Sequence, residues 1–283
     1  MRAPEVAEQN ADASAVCAPL AQVNWQQPWL LPYRADAARV VQYASWQAGA
    51  NAVAAERRLR NHRGAAITFV AQAELPAATA YETFISRTGR VPSRDNLHDF
   101  FNALVWLRCP ASKARLNALQ AAEIGRRARQ AGSGAAQASN RGPLRDRATL
   151  FDENAALLLC RDPEIEAALR AHDWQRALVM RRQAFGTVCE VRLFGHALIE
   201  KLVTPYKAIT AHMWALPVTP DFFASGEAMQ QASIDDLLET TLRAGLLTVP
   251  YMTLPVLGVP GWWPLQDAAF YADSEVFRPP RSG

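Results

Sequence analysis

Apolar and polar positions alternate along the chain in two rhythms, and together they predict a helix-rich mixture of short elements. Leu97, Phe100, Phe101, Leu104 and Leu107 recur at helical spacing, with Asn96 placed as N-cap and Asp99 in the capping-box position. Tyr81, Phe84 and Ile85 share an earlier helical face that Gly89 should end. Asp36 is expected to cap a helix running towards Gln47, with a second helix over 52–61. Pro110 should end the Asn96 helix and Ser112 cap the next, over 113–129. Strands are expected at 66–70, 188–193 and 209–218. Residues 148–160 read as two short strands turning at Asp152-Glu153-Asn154, or as a strand leading into a helix. Asp162-Pro163 opens a further helix, Asp173 caps another, and Gly195 lets the chain turn into one beginning at His196. Ser233-Ile234-Asp235-Asp236 reads as a capping box for a helix that stops at Gly245. Residues 1–20 lack periodicity and should form a loose tail, and 130–140 a Gly/Ala/Ser-rich loop. The Pro- and Trp-rich end should wrap as an extended strap. The expected architecture is one α+β domain over 21–283, helix-rich, with a small mixed sheet built from strands near Ala66, Leu150, Val191 and Ile209.

Composition agrees with a folded core: 50% of the 283 residues are hydrophobic and 20% charged. No run approaches the roughly 20 apolar residues of a membrane span, and no basic start precedes an apolar stretch, which points to the cytoplasm. Cys17, Cys109, Cys160 and Cys189 are scattered, a pattern expected of reduced thiols rather than of a disulfide framework or structural zinc. The net charge of +3 is small but uneven. Nine basic residues lie between Arg108 and Arg147 against Glu123 and Asp146, whereas eight acids between Thr219 and Glu275 face Arg243 alone. The two regions could attract an anion or each other.

Three runs place polar groups on otherwise apolar elements, and such groups must find partners or cost about 1–3 kcal/mol each. His98, Asp99 and Asn102 could form a ligand or acid–base group, or could only complement a helix dipole and tie down a loop. Asp152 or Glu153 could supply one inward carboxylate, or ordinary turn chemistry. His196 and Glu200 lie one turn apart, so both could reach one metal ion, with His212 a third ligand or a core histidine. Arg141, Arg145, Lys201 and Lys207 are the candidate anion contacts, or a solvated basic surface. Nucleic-acid binding would need aromatics interleaved with the basic residues, and that segment has almost none beside Trp106. Phosphate-binding glycine loops, nucleophile elbows and His-Glu-x-x-His helices are absent.

The same residues carry a family likeness. The string from Asn96 to Trp106, Lys113 with Leu116-Asn117, Arg145-Asp146, the string from Thr149 to Asn154, Phe194 to Leu198 with Glu200-Lys201, and Leu257 to Pro264 together resemble the bacterial family called domain of unknown function 3025. The likeness runs from about Trp29 to Arg281; Ala155 departs from it, standing where glycine is expected. The resemblance implies a bacterial protein of one domain and no assigned activity, so it supplies no catalytic residues.

The leading expectation is a metal-dependent hydrolase for a small anionic substrate. His98 and His196, with one of Asp99, Asp152 or Glu200, would hold a divalent ion, and Glu153 or His212 would handle protons. The alternatives are a binding module for an anionic ligand or nucleic acid, using Arg141, Arg145, Lys201 and Lys207, and a structural or partner-binding protein whose polar runs only stitch the core.

Overall fold

A computed structural model of the chain describes residues 18–131 and 142–279. The expected tail at 1–20 and loop at 130–140 fall largely, and Arg141 entirely, outside the described residues. In chain order the main elements are α1 (Leu31–Val40), α2 (Trp46–Glu56), β1 (Thr68–Ala71), α3 (Tyr81–Thr88), β2 (Arg90–Ser93), α4 (Leu97–Arg108), α5 (Pro110–Ala131) and α6 (Pro143–Asn154). They continue with β3 (Ala155–Cys160), α7 (Pro163–Arg170), β4 (Cys189–Leu193), α8 (His196–Lys201), β5 (Thr210–Pro217), α9 (Glu227–Arg243), β6 (Met252–Pro255) and α10 (Ala268–Ala272). The architecture is α+β and helix-rich. No described helix is long and apolar enough to cross a membrane.

The larger sheet has the order β4-β3-β5-β6 and is mixed. β3 pairs antiparallel with β4 and parallel with β5, while β5 pairs antiparallel with β6. β3 reads Ala-Ala-Leu-Leu-Leu-Cys and is buried at its first five positions, as a central strand covered on both faces must be. β1 and β2 form a separate parallel pair, so the strand near Ala66 does not join the main sheet. The region around Leu150 is not a strand either. Pro143 opens a helix there, Ala148 and Phe151 bury one face of it, and the helix runs straight into β3. Of the two expected strands only the second, after Asn154, forms, and helix before strand is the reverse of the alternative order. It also puts Asp152 and Glu153 in a last helical turn, where neighbours need not point to opposite faces. Ala155 begins β3 with φ −76°, a conformation that makes no demand for glycine.

Other boundaries moved for identifiable reasons. Pro32 starts α1 upstream of Asp36, whose buried carboxylate instead pairs with Arg57, and Ser45 caps α2 by accepting from Ala48 N–H at 3.2 Å. Asn96 caps α4 through Asp99 N–H at 2.8 Å, but the Asp99 carboxylate accepts from the Arg94 backbone N–H at 2.7 Å rather than completing the box. α5 begins directly at Pro110, and Ser112 is not its cap. Asp235, in mid-α9 rather than at a helix start, accepts from Ala111 and Ser112 N–H at 3.0 and 2.9 Å. A carboxylate from a distant helix thus satisfies the free N–H groups of α5's first turn. The Pro/Trp-rich end is only partly extended, since it contributes β6 and α10.

α4 is buried at every position from Asp99 to Leu107, which is the signature of a helix enclosed on all sides. It packs against α8, α2, α1 and α5. The turn facing it is made by Gly195. A Cβ there would lie 2.4 Å from the Ala155 nitrogen and 2.5 Å from that of Asn154, both immovable backbone atoms. Gly195→Ala should therefore cost about 1–3 kcal/mol through overpacking, lowering Tm by roughly 2–4 °C per kcal/mol in a chain of this size. Thermal unfolding followed by circular dichroism checks this, and an unchanged Tm would show that the junction has slack.

Candidate functional site

Two histidines meet edge to face where α4 and α8 touch. His98 sits in the first turn of α4, held there by the Asn96 cap, and His196 opens α8. Their ring centroids are 4.5 Å apart and their Nε2 atoms 3.0 Å apart. Glu200 follows His196 by one turn of α8 and places Oε2 2.9 Å from His98 Nδ1. His98 is thus gripped on one nitrogen by a carboxylate and faced on the other by an imidazole. Glu153, from the last turn of α6, brings Oε2 to 3.9 Å from His196 Nε2. One ligand atom from each of His98, Glu153 and His196 lies within 4.8 Å of the other two.

Proton positions follow from these contacts. The Glu200 carboxylate accepts from His98 Nδ1, so the lone pair of His98 is on Nε2 and points at His196. Burial drives the His196 pKa down to about 4, helped by the positive charge of Lys113 against the pull of Asp152. His196 is therefore neutral at neutral pH. Its Nδ1 is buried in the field of the Asp152 carbonyl without a well-formed hydrogen bond. If that nitrogen carries the proton, two lone pairs face each other across 3.0 Å, an arrangement that a cation relieves.

Beside the histidines opens a cavity of about 300 Å³. Lys113, only 4% exposed, projects into it from α5. Its ammonium donates to Asn102 Oδ1 at 2.8 Å, pairs with Asp152, and lies 5.5 Å from the centre of the Trp106 ring. Burial opposes ionisation of Asp152, but Lys113 and the imidazoles outweigh it and hold the carboxyl below its ordinary range. Glu153 shifts the other way: burial, Asp152 and Glu200 raise it against the pull of His98 and Lys113. Tyr81 completes this wall with its hydroxyl 3.3 Å from Asn102 Nδ2, kept protonated mainly by burial. Lys113, Asn117, Gln120 and Glu123 form a buried polar stripe along α5, and all but Glu123 line the cavity.

Of the residues singled out from sequence, His98, Glu153 and His196 converge, with Glu200 and Asp152 directly behind them. Asp152 is not among the converging ligand atoms, because Lys113 occupies it. Asp99 lines the cavity, but Arg94 holds its carboxylate. His212 is elsewhere: on β5 its Nδ1 lies 2.7 Å from Asn154 Nδ2 and its ring packs on Tyr251, outside the cavity lining. The anion contacts do not assemble. Arg145 faces Glu82 at 3.5 Å, Lys207 pairs with Asp273 at 2.6 Å, and Lys201 is exposed at the end of α8. The cations that do line the cavity are Lys113 and Arg94. Sequence reasoning assigned neither a role, although a lysine three and four residues before the buried Leu116 and Asn117 was a legible sign of an inward-facing charge.

A family model described as a protein of unknown function (DUF3025) matches residues 67–281. The chain belongs to the DUF3025 family. No curated protein and no solved structure matches it. The strings that carry the DUF3025 likeness are not scattered in space: those around His98, Lys113, Glu153 and His196 all border this one cavity. The string from Leu257 to Pro264 does not, and its Trp262 instead packs on Trp29 at 5.8 Å.

The depressed pKa of His196 links stability to pH. Below the ordinary value of 6.5 the unfolded chain takes up a proton that the folded chain refuses until about 4. The contribution is complete above pH 6.5 and lost as pH falls towards 4, to a total of about 3 kcal/mol. Urea unfolding of chelator-treated protein should show this loss, and His196→Gln should remove it. Equal pH slopes in the two proteins would contradict the neutral, buried imidazole.

Proposed function

We propose that this chain is a metal-dependent hydrolase of small anionic substrates, with His98, Glu153 and His196 as the ligands of a divalent cation. The observation that carries the reading is the approach of the two Nε2 atoms to 3.0 Å beside a carboxylate that has no Lys or Arg partner among the described residues. Two imidazoles and one carboxylate are a donor set that suits zinc and other first-row divalent ions. Glu200 acts on His98 from behind, fixing its tautomer and raising its basicity as carboxylates do behind metal-bound histidines. Charge supports the same reading. Arg94 and Lys113 stand against Asp99, Asp152, Glu153 and Glu200, and a divalent ion makes up the deficit.

The ion would supply Lewis acidity towards the scissile group and towards water. The chain's own groups supply the rest. Tyr81 offers a hydroxyl donor, and the Lys113 ammonium and Arg94 guanidinium give the cavity positive charge. This differs from the first expectation in that Glu153 takes the ligand position and Glu200 the orienting one. We read residues 21–283 as a single domain, because one cluster of buried residues runs from Leu20 to Phe277.

Titration calorimetry of chelator-stripped protein with Zn²⁺ and Mn²⁺ should give one ion per chain. His98→Gln and His196→Gln should abolish that binding, and Glu200→Gln should weaken it about 10- to 100-fold. Absence of saturable binding by the unmutated protein would remove the ion from the account. The loaded protein should then hydrolyse at least one member of a panel of small phosphate esters, carboxylate esters and amides. Turnover no faster than that of the stripped protein across the panel would reduce the site to a structural ion.

A further inference from the structure

The ladder joining β3 to β4 has a fixed parity. At one end Phe194 N–H donates to the Ala155 carbonyl at 3.0 Å, and at the other Arg161 N–H donates to the Val188 carbonyl at 2.9 Å. With Ala156 opposite Leu193 and Leu159 opposite Glu190, hydrogen-bonded pairs therefore fall at every second rung from Ala155 to Arg161. Cys160 faces Cys189 on the rung between two of them, in a non-hydrogen-bonded pair. In that kind of pair the Cα atoms approach to about 4.5 Å and the side chains share a face. That spacing is within the window of about 4.4–6.8 Å that a disulfide requires. Both cysteines are free thiols in this structure.

We propose that Cys160 and Cys189 are a redox pair that closes to a cross-strand disulfide by exchange with a small disulfide of the glutathione type. Their burial divides the roles: Cys160 is partly exposed at the end of β3, while Cys189 is fully buried. Cys160 is the attacking thiol and Cys189 the resolving one. The electrostatics agree, since a hydrogen bond from Cys189 lowers the Cys160 pKa against the effect of burial, and the same contact raises that of Cys189. The Cys160 thiolate attacks one sulfur of the small disulfide, whose S–S bond breaks and releases one thiolate. Cys189 gives its proton to that thiolate and attacks the Cys160 sulfur, expelling the second small thiolate, which takes up the proton that Cys160 lost on ionising. Two protein thiols are oxidised and one small disulfide is reduced to two thiols. Cys109 is no competitor, being buried on α4's end with its pKa pushed up to about 12, chiefly by burial.

The two strands tied by this bond are those that deliver Glu153 and His196 at their other ends, so the bond clamps the scaffold of the site without entering it. The pairing rests on the ladder alone and is independent of any bound ion.

The test treats the folded full-length chain with oxidised glutathione, alkylates remaining thiols, digests, and maps the peptides by mass spectrometry before and after reduction. The expected product is a linked pair of peptides containing Cys160 and Cys189, lighter by two hydrogens and separated by reductant. Cys189→Ser should halt Cys160 as its glutathione adduct, and Cys160→Ser should leave Cys189 unmodified. A Cys160 that stays free, accumulates as the adduct with Cys189 present, or links to another cysteine overturns the proposal. The unmutated protein decides the matter even if a variant folds poorly.

Discussion

One oxygen fastens the site together. The Ala155 carbonyl accepts from both Phe194 and Gly195 N–H, at 3.0 and 2.9 Å, using its two lone pairs. On one side of that seam a helix has just ended and a strand begins; on the other a strand has ended and a helix begins. Glu153 lies two residues before the seam and His196 two residues after it in the partner segment's sense of travel from Phe194. Glu153 and His196, more than forty residues apart in the chain, are thereby held with Oε2 3.9 Å from Nε2. The missing Cβ of Gly195 is what lets the two backbones come that close. Slipping β3 against β4 by one residue would turn every side chain to the opposite face and break this meeting.

α4 must then reach the seam from a third direction, and charge explains why it stays there. Lys113 is buried, and an unpaired buried ammonium would be costly. Asp152 supplies the counter-charge, Asn102 an acceptor and Trp106 a ring face, so the same ammonium ties α5 to α6 and to α4. Neutralising Asp152 in this way leaves its neighbour Glu153 with no such partner, which is why the two carboxyls shift in opposite directions. Two adjacent carboxylates thus have different surroundings: Asp152 is paired and holds the wall, whereas Glu153 faces the histidines.

What was legible in the sequence was local. The Asn96 cap, the Gly89 stop at φ 74°, and the Asp162 cap on Glu164 N–H depend on neighbours within a few positions, and each formed as read. So did the turn at Gly195. The errors lie where a group's partner is remote. Asp235 looks like a helix start beside Ser233, yet it sits in mid-α9 and caps the start of α5 from more than a hundred residues away. Arg145, Lys201 and Lys207 share only a sign, each is placed by a different part of the chain, and charge type alone does not report which carboxylate comes near. The pairing of Cys160 with Cys189 is equally invisible, because only strand register brings those two scattered cysteines onto one rung.

The reading in which these polar groups merely stitch the core makes a physical demand: stitching groups must satisfy one another, since most buried polar atoms in folded proteins have partners. Much of the molecule meets it. Asn61 donates to the Ile85 and Ser86 carbonyls and accepts from the Arg63 and Ala65 N–H groups. Around the cavity, as at six other buried side-chain atoms among the described residues, the demand fails. Asn117 Oδ1 and His196 Nδ1 are buried without a hydrogen bond, and Glu153 lacks a Lys or Arg among the described residues. Each buried unpaired atom costs about 1–3 kcal/mol, and two of them border this hollow beside a half-exposed carboxylate. The purely structural reading leaves one more thing unexplained, namely why two imidazole Nε2 atoms and a carboxylate without a Lys or Arg partner among the described residues meet at the edge of that hollow.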